Sequence, residues 1–172
     1  MKVLITGGSQ GIGLAIAKEL HAAGHEIFLV ARDPERLKNA IDSFSIRVDG
    51  ITCNLGKAGE VDALIERTKQ NKFCPDVIVL NAAAFGSPEK SVLKHSADEL
   101  RELMEVNLVS NYQLVQGFID ILKKGEYPRI IIIGSTAAIR VDDGSLYGVS
   151  KWALRSYAYF LRNELKQLGV GV

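Results

Sequence analysis

The sequence predicts a doubly wound α/β fold: a parallel sheet covered by helices on both faces, in three α/β/α layers. Three observations predict it. Short runs rich in Val and Ile recur between longer segments of helical period, at Val3 to Thr6, Ile27 to Ala31, more weakly around Ile46 to Cys53, at Val77 to Asn81 and at Ile130 to Gly134. Runs such as Val77-Ile78-Val79-Leu80 and Ile130-Ile131-Ile132-Ile133 are apolar at every position, as strands covered on both faces must be. Strands and helical segments alternate in order, which is the pattern of a parallel sheet built from crossover units.

The helix boundaries agree with this parse. Asp33-Pro34 reads as an N-cap followed by a first-turn proline, and Ser96-Ala97-Asp98-Glu99 has capping-box spacing. The segment after Tyr147 runs helically to about Leu168, Gly169 suits a C-cap, and Val170-Gly171-Val172 has the character of the first residues of another strand. Three residues pair only weakly. The expectation is therefore one domain over residues 1–172 whose sheet continues past the last residue.

Composition narrows the function classes. Lys and Arg number 21 against 20 Asp and Glu, so no general field gathers nucleic acid or an acidic membrane surface. The apolar N-terminal run reaches glycine by Gly7, too soon for a signal peptide, and no span of membrane length follows, so a cytoplasmic location is expected. Cys53 and Cys74 lack metal-ligand or C-x-x-C spacing and read as small core residues. His21, His25 and His95 read as surface residues, and no metal site is expected.

The candidate chemistry begins at Thr6-Gly7-Gly8-Ser9-Gln10-Gly11-Ile12-Gly13, which joins the first strand to a helix starting near Ile12. A helix start presents unpaired N–H groups to a phosphate, and glycines let the ligand approach the backbone, so this turn is a candidate pyrophosphate cradle. It is not the general G-x-G-x-x-G pattern, because Ile16 stands three after Gly13, nor a P-loop, because no Gly-Lys-Ser/Thr follows. The second strand ends Val30-Ala31-Arg32-Asp33; with Asp33 engaged as an N-cap, Arg32 is the free charge. Arginine at that place suits a ribose 2′-phosphate, so NADP(H) is expected over NAD(H).

Tyr147 and Lys151 stand four apart, on one face of a helix, and Ser135 lies just beyond the strand Ile130 to Ile133, at the sheet edge where such folds bind ligands. An ammonium about 4 Å from a phenolate stabilises that anion by roughly 4 kcal/mol at an effective dielectric near 20, enough to make a tyrosine a proton exchanger. Ser135 could hold a substrate oxygen meanwhile. The helix from about Ala97 to Lys123 carries Asn107 and Asn111 on an apolar stripe with Leu100, Met104, Leu114, Phe118 and Leu122. A buried amide needs partners. Asn107 either bonds backbone at a local helix irregularity or anchors a water leading protons from Lys151; Asn111 has no assigned role.

Over essentially its whole length the sequence resembles the classical short-chain dehydrogenases/reductases. The resemblance rests on Thr6, Gly7, Gly11 and Gly13 of the T-G-x-x-x-G-x-G turn, on Asn81-Ala82-Ala83, and on Asn107, Ser135, Tyr147 and Lys151 in order. It implies a Rossmann fold, and catalysis by Asn107, Ser135, Tyr147 and Lys151. It also implies cofactor contacts from Thr6, Gly7, Ser9, Gln10, Gly11, Ile12 and Gly13 of the turn, from Asn54 and Leu55 beside the adenine, from Asn81 and Ala82 on the ribose side with Ala83 next to them, from Tyr147, and from Lys151 on the nicotinamide ribose. Two departures are Asn54, where the family usually has Asp, and Ala83, where it usually has Gly. The family also continues past this point with a further strand, a Pro-Gly motif and a substrate-covering segment.

The implied activity is hydride transfer between NADP(H) and a small carbonyl or alcohol, with Tyr147 as general acid or base. A non-catalytic NADP(H)-binding sensor is the competing reading, and a sugar-nucleotide epimerase or dehydratase fits the glycine spacing poorly. The helix after Tyr147 has one broad apolar face with Ala153, Leu154, Phe160, Leu161 and Leu165, and carries Trp152 and Tyr159 on another. A helix apolar on two faces has two neighbours, so a homodimer or homotetramer is expected.

Overall fold

The computed structural model describes residues 1–46, 48–87, 91–140 and 145–172. Strand β1 (Lys2–Thr6) lies at the sheet's centre, and its alternation divides the core in two. Val3 and Ile5 join Ala17, Leu29, Leu37 and Val79 on one face, while Leu4 joins Phe28, Leu64, Phe118, Ile130 and Leu161 on the other. The first cluster packs under helices α1 (Gly11–Ala22) and α2 (Pro34–Asp42). The second packs under α3 (Ala58–Gln70), α5 (Ser110–Leu122) and α6 (Leu146–Leu165). Each fully buried Leu or Ile in these layers contributes roughly 1.5–3 kcal/mol.

With β2 (Glu26–Ala31), β3 (Asp49–Thr52), β4 (Val77–Leu80) and β5 (Arg129–Ile132), the sheet runs in the order β3-β2-β1-β4-β5, all parallel. This is the expected doubly wound, three-layer fold. The order reverses between β1 and β4, so the connections leave a crevice beyond the strands' C-terminal ends.

Asp33 caps α2 by accepting from Arg36 N at 3.0 Å, and Ser96 and Glu99 form the reciprocal capping box of α4 (Ala97–Met104). Two elements differ from expectation. Strand β3 is shorter than the run Ile46 to Cys53: it is an edge strand with half-buried faces, and Arg47, inside that run, lies outside the described residues. The helix expected from Ala97 to Lys123 is interrupted by a π-helical turn at Glu105–Val109. Such a turn frees backbone carbonyls, and here Ser110 Oγ donates to Val106 O at 2.8 Å while Asn111 Nδ2 donates to Asn107 O at 2.9 Å. After α6 a 3₁₀ turn, Lys166–Leu168, leads to Gly169, and Gly171 forms a single parallel bridge to Arg129 beside β5.

Candidate active site

The strand ends open into a groove of about 860 Å³, a volume typical of small-molecule and cofactor sites. Gly7, Ser9, Gln10, Gly11 and Ile12 line it from the first turn, and Arg32, Asp33 and Arg36 from the turn after β2. Cys53 to Leu55, Asn81 to Phe85 and Ile133 to Ser135 line it from the ends of β3, β4 and β5, and Tyr147 and Lys151 from α6. Every residue expected to touch a ligand is on this wall except Thr6, Gly13 and Asn107, which stand behind it.

Thr6 is fully buried and ties β1 to β4: its Oγ1 donates to Val79 O at 3.3 Å and accepts from Asn81 N at 3.0 Å and Ala82 N at 3.1 Å. Asn81 Nδ2 in turn donates to Thr6 O at 3.0 Å and Gly7 O at 3.2 Å. Gly13 permits this closeness. A Cβ there would lie 2.4 Å from Gly7 O and 2.5 Å from Asn81 Nδ2. Gly7 has φ +66°, and a Cβ on it would stand 2.9 Å from Ala82 Cα.

The two guanidiniums after β2 differ. Arg36 is pinned, donating from Nη1 to Gln10 Oε1 at 2.8 Å with its Nε 3.7 Å from Asp33. Arg32 is exposed and makes no hydrogen bond or ion pair among the described residues. At the end of β3, Asn54 N donates to Glu60 Oε2 at 2.7 Å, and Asn54 Oδ1 accepts from Gly56 N at 3.0 Å. The bond from Asn54 N, then Lys57, hold the Glu60 carboxyl below the usual range.

Asn107 is fully buried, and its carboxamide is bonded by protein at both its oxygen and its nitrogen. Oδ1 accepts from Ala84 N, and Nδ2 donates to Ala84 O and Ser150 Oγ, all at 2.8 Å. Ser150 Oγ donates on to Tyr147 O at 2.7 Å. The Asn107 side chain, for which backbone bonding at a helix irregularity and anchoring of a water were both open, bonds backbone from within the π-helical turn and clamps the loop after β4 to the start of α6. That start is fixed by Ser145, whose Oγ accepts from Gly148 N at 3.2 Å. Lys151 is buried and donates from Nζ to Ile133 O at 3.0 Å, and burial lowers its pKa. Its Nζ lies 5.7 Å from the Tyr147 ring centroid. Phe85 stacks on the same ring, centroids 4.8 Å apart at 30°. Ser135 accepts from Ala137 N at 3.1 Å, which turns the chain just past β5.

Sequence reasoning missed Arg36, Phe85 and Ser150. Arg36 had a signal in its place in the first turn of the helix that Asp33 caps; Phe85 had one as a large aromatic just past Asn81-Ala82-Ala83; Ser150 had none. Other expectations are corrected. Cys74 is exposed, not core, whereas Cys53 is buried on the groove wall, its thiol pushed up to about 11 by burial and, secondarily, by Glu60. The His95 side chain is enclosed, with Nδ1 3.6 Å from Glu99, and His21 packs edge-on against Phe44 at 5.1 Å; neither lies on the groove wall. Phe160 is 74% exposed rather than part of the buried face of α6. Among the described residues no group of three His, Cys, Asp or Glu could hold a metal ion, and no helix is long and apolar enough to cross a membrane.

A family model described as short chain dehydrogenase matches residues 1–172. The chain belongs to the short-chain dehydrogenases. Within the family it is 27% identical to the 3-oxoacyl-[acyl-carrier-protein] reductase FabG of Salmonella typhimurium, covering 98% of this chain and 69% of that one. It is 31% identical to the 3-dehydrosphinganine reductase of Danio rerio, covering 99% of this chain but 53% of that one. Its fold superposes on a metagenomic short-chain oxidoreductase crystallised with NADP (TM-score 0.91, 29% identity, 99% of this chain and 78% of that one). It does so equally on L-sorbose reductase of Gluconobacter frateurii, crystallised with NADPH and L-sorbose (TM-score 0.91, 28% identity, 98% and 65%). The chain therefore spans between about half and four fifths of the length of these dehydrogenases and reductases.

Proposed function

We propose that this chain forms one nucleotide-binding domain that holds NADP(H) in the groove and transfers hydride between it and a small carbonyl or alcohol. The observation that carries the reading is that Tyr147, Lys151 and Ser135 line the same groove as the glycine turn and Arg32. The residues present fit the cofactor. The start of α1 offers backbone N–H groups with no side chain at Gly7 or Gly11, and Arg32 offers a free cation for a 2′-phosphate. Asn54 and Leu55 would hold the adenine end, Asn81, Ala82 and Ala83 the ribose side. When bound, the nicotinamide supplies or accepts the hydride.

The chain's own residues manage the proton. Tyr147 gives its hydroxyl proton to the substrate oxygen in reduction and takes it back in oxidation. The Lys151 ammonium stabilises the phenolate left behind, and the carbonyl of Ile133 fixes its position. Ser135 donates to the same substrate oxygen. Asn107 acts through Ala84 and Ser150 as a positioning residue. Relatives named as reductases and neighbours crystallised with NADP or NADPH support the assignment. Tyr147→Phe should lower NADPH-dependent ketone turnover by roughly a thousandfold, within the range of a lost general acid, with NADPH affinity unchanged in a fluorescence titration. Unchanged NADPH consumption in that variant sinks the mechanism.

Assembly into a homodimer or homotetramer is proposed on the exposed row of Trp152, Tyr159 and Phe160 on α6, with Tyr112 on α5. Arg155 lies 5.7 Å from both the Trp152 and Tyr159 rings, stiffening that surface. Sedimentation velocity should give a species above monomer mass; a monomer across the micromolar range removes the proposal.

A further inference from the structure

A large aromatic ring left mostly in water beside a reacting group invites an apolar partner. Phe85 is 64% exposed, yet it is not loose, because two connections fix it. Behind it, the preceding residue Ala84 has both its N–H and its C=O bound at 2.8 Å by the buried carboxamide of Asn107. In front, its ring stacks on Tyr147, centroids 4.8 Å apart at 30°. Tyr147 therefore has an aromatic face on one neighbour and the Lys151 ammonium on another. An exposed apolar side chain gains nothing from this placement by itself, since water still covers most of the ring; a ligand substituent covering it would be stabilised by area and by ring–ring geometry.

We propose that Phe85 is the specificity-determining residue of the site, and that it selects ketones carrying an aryl or bulky apolar group over polyhydroxylated ones. This rests on the proposal that a carbonyl meets Tyr147. With the carbonyl oxygen at the tyrosine hydroxyl, the substituent on the carbonyl carbon lies against the ring stacked on that tyrosine. A polyhydroxy ketone placed there would lose water from hydroxyl groups that Phe85 cannot bond.

The test compares acetophenone with dihydroxyacetone on the chain saturated with NADP+, in the unaltered protein and in Phe85→Ala and Phe85→Tyr. Affinities come from ligand-observed NMR or calorimetry, which need no turnover, and kcat and KM for NADPH consumption are measured in parallel. Phe85→Ala should weaken acetophenone about tenfold, through KM rather than kcat. Dihydroxyacetone and NADP+ should change less than about twofold, and Phe85→Tyr should keep the unaltered affinity. Equal changes for the two ketones, no change for acetophenone, or no acetophenone binding to the unaltered chain would each overturn the assignment. Because the side chain is exposed, its truncation opens no core cavity, and an unchanged melting temperature checks this. Acetophenone binding that depends on Phe85 without any NADPH consumption would uphold the Phe85 assignment and sink the oxidoreductase reading instead.

Discussion

In the proposed site Gly7 to Ile12 and Arg32 would meet a ligand with backbone and with an exposed charged side chain, whereas Tyr147, Lys151 and Phe85 are held through hydrogen bonds of the buried side chains Asn107, Ser150 and Lys151, which join four separated segments. The first region is one contiguous turn plus the end of the next strand, closed by Gly13 against Gly7 and Asn81. The second draws on the loop after β4, the π-helical turn, the end of β5 and the start of α6, and Asn107 is its hub. The contrast follows from what each region has to do in the proposed reaction. Phosphates are bound by any donors aimed at them, so backbone suffices. A proton exchanger must hold its partner groups within a fraction of an ångström, which only a packed and bonded cluster does.

Breaking the hub should cost most. Asn107→Leu leaves the N–H and C=O of Ala84 without their partner, at about 1–3 kcal/mol for each group kept from water, and takes from Ser150 Oγ the bond it accepts, while its own proton still goes to Tyr147 O. The expected loss is roughly 3–5 kcal/mol in urea unfolding and turnover below detection. If the two regions are as separate as their construction implies, 2′,5′-ADP, which reaches only the first, should still bind the folded fraction within about threefold, a limit of ~0.7 kcal/mol. Loss of 2′,5′-ADP together with turnover would show the regions to be one cooperative unit.

The reciprocal break is Gly13→Ala. Its methyl group would stand 2.4 Å from a backbone carbonyl and 2.5 Å from an amide already bonded twice, so β1's turn and Asn81 must move apart. Overpacking of this kind costs about 1–3 kcal/mol. That corresponds to a melting point lower by roughly 2–12 °C for a chain of this size. Here 2′,5′-ADP affinity should fall with stability, the opposite of Asn107→Leu. Retained affinity would mean that the cradle does not depend on the close approach of these backbones.

The difference between the regions also decides what the sequence could reveal. Contiguous features were readable: the apolar strands, the Asp33 and Ser96 caps, the glycine turn, and the Tyr147 and Lys151 spacing are local patterns with local causes. The edge strand β3 was read too long because an edge buries less and imposes less pattern on its residues. The π-helical turn has no composition of its own. Its trace was two amides, Asn107 and Asn111, on an apolar stripe, and their bonding to Ala84 and to a freed carbonyl appears only once the loop after β4 is folded over them. Ser150 and Phe85 depend on the same closure. His95 and Cys74 exchange the expected surface and core because a short turn can enclose a polar ring, and a loop can leave a thiol outside, with no periodic signal.

The smallest effects should separate the two arginines of the first region, of which the sequence singles out only Arg32. The Arg32 guanidinium stands on the groove wall with no hydrogen bond or ion pair among the described residues, so Arg32→Ala should remove a charge-assisted contact made only to a 2′-phosphate. NADPH should weaken by about tenfold or somewhat more and NADH by less than about twofold, consistent with roughly 1.5–3 kcal/mol for such a bond. Arg36 spends its guanidinium on Gln10 and Asp33. Arg36→Ala should therefore release Gln10 from the turn and cost both cofactors alike, by about two- to threefold, the size of one weak exposed hydrogen bond. Parallel titrations of the two variants with both cofactors decide it. Equal losses for NADPH and NADH in Arg32→Ala would refute the 2′-phosphate role, and a loss confined to NADPH in Arg36→Ala would transfer that role to the pinned arginine, which would then have to let go of Gln10 on binding.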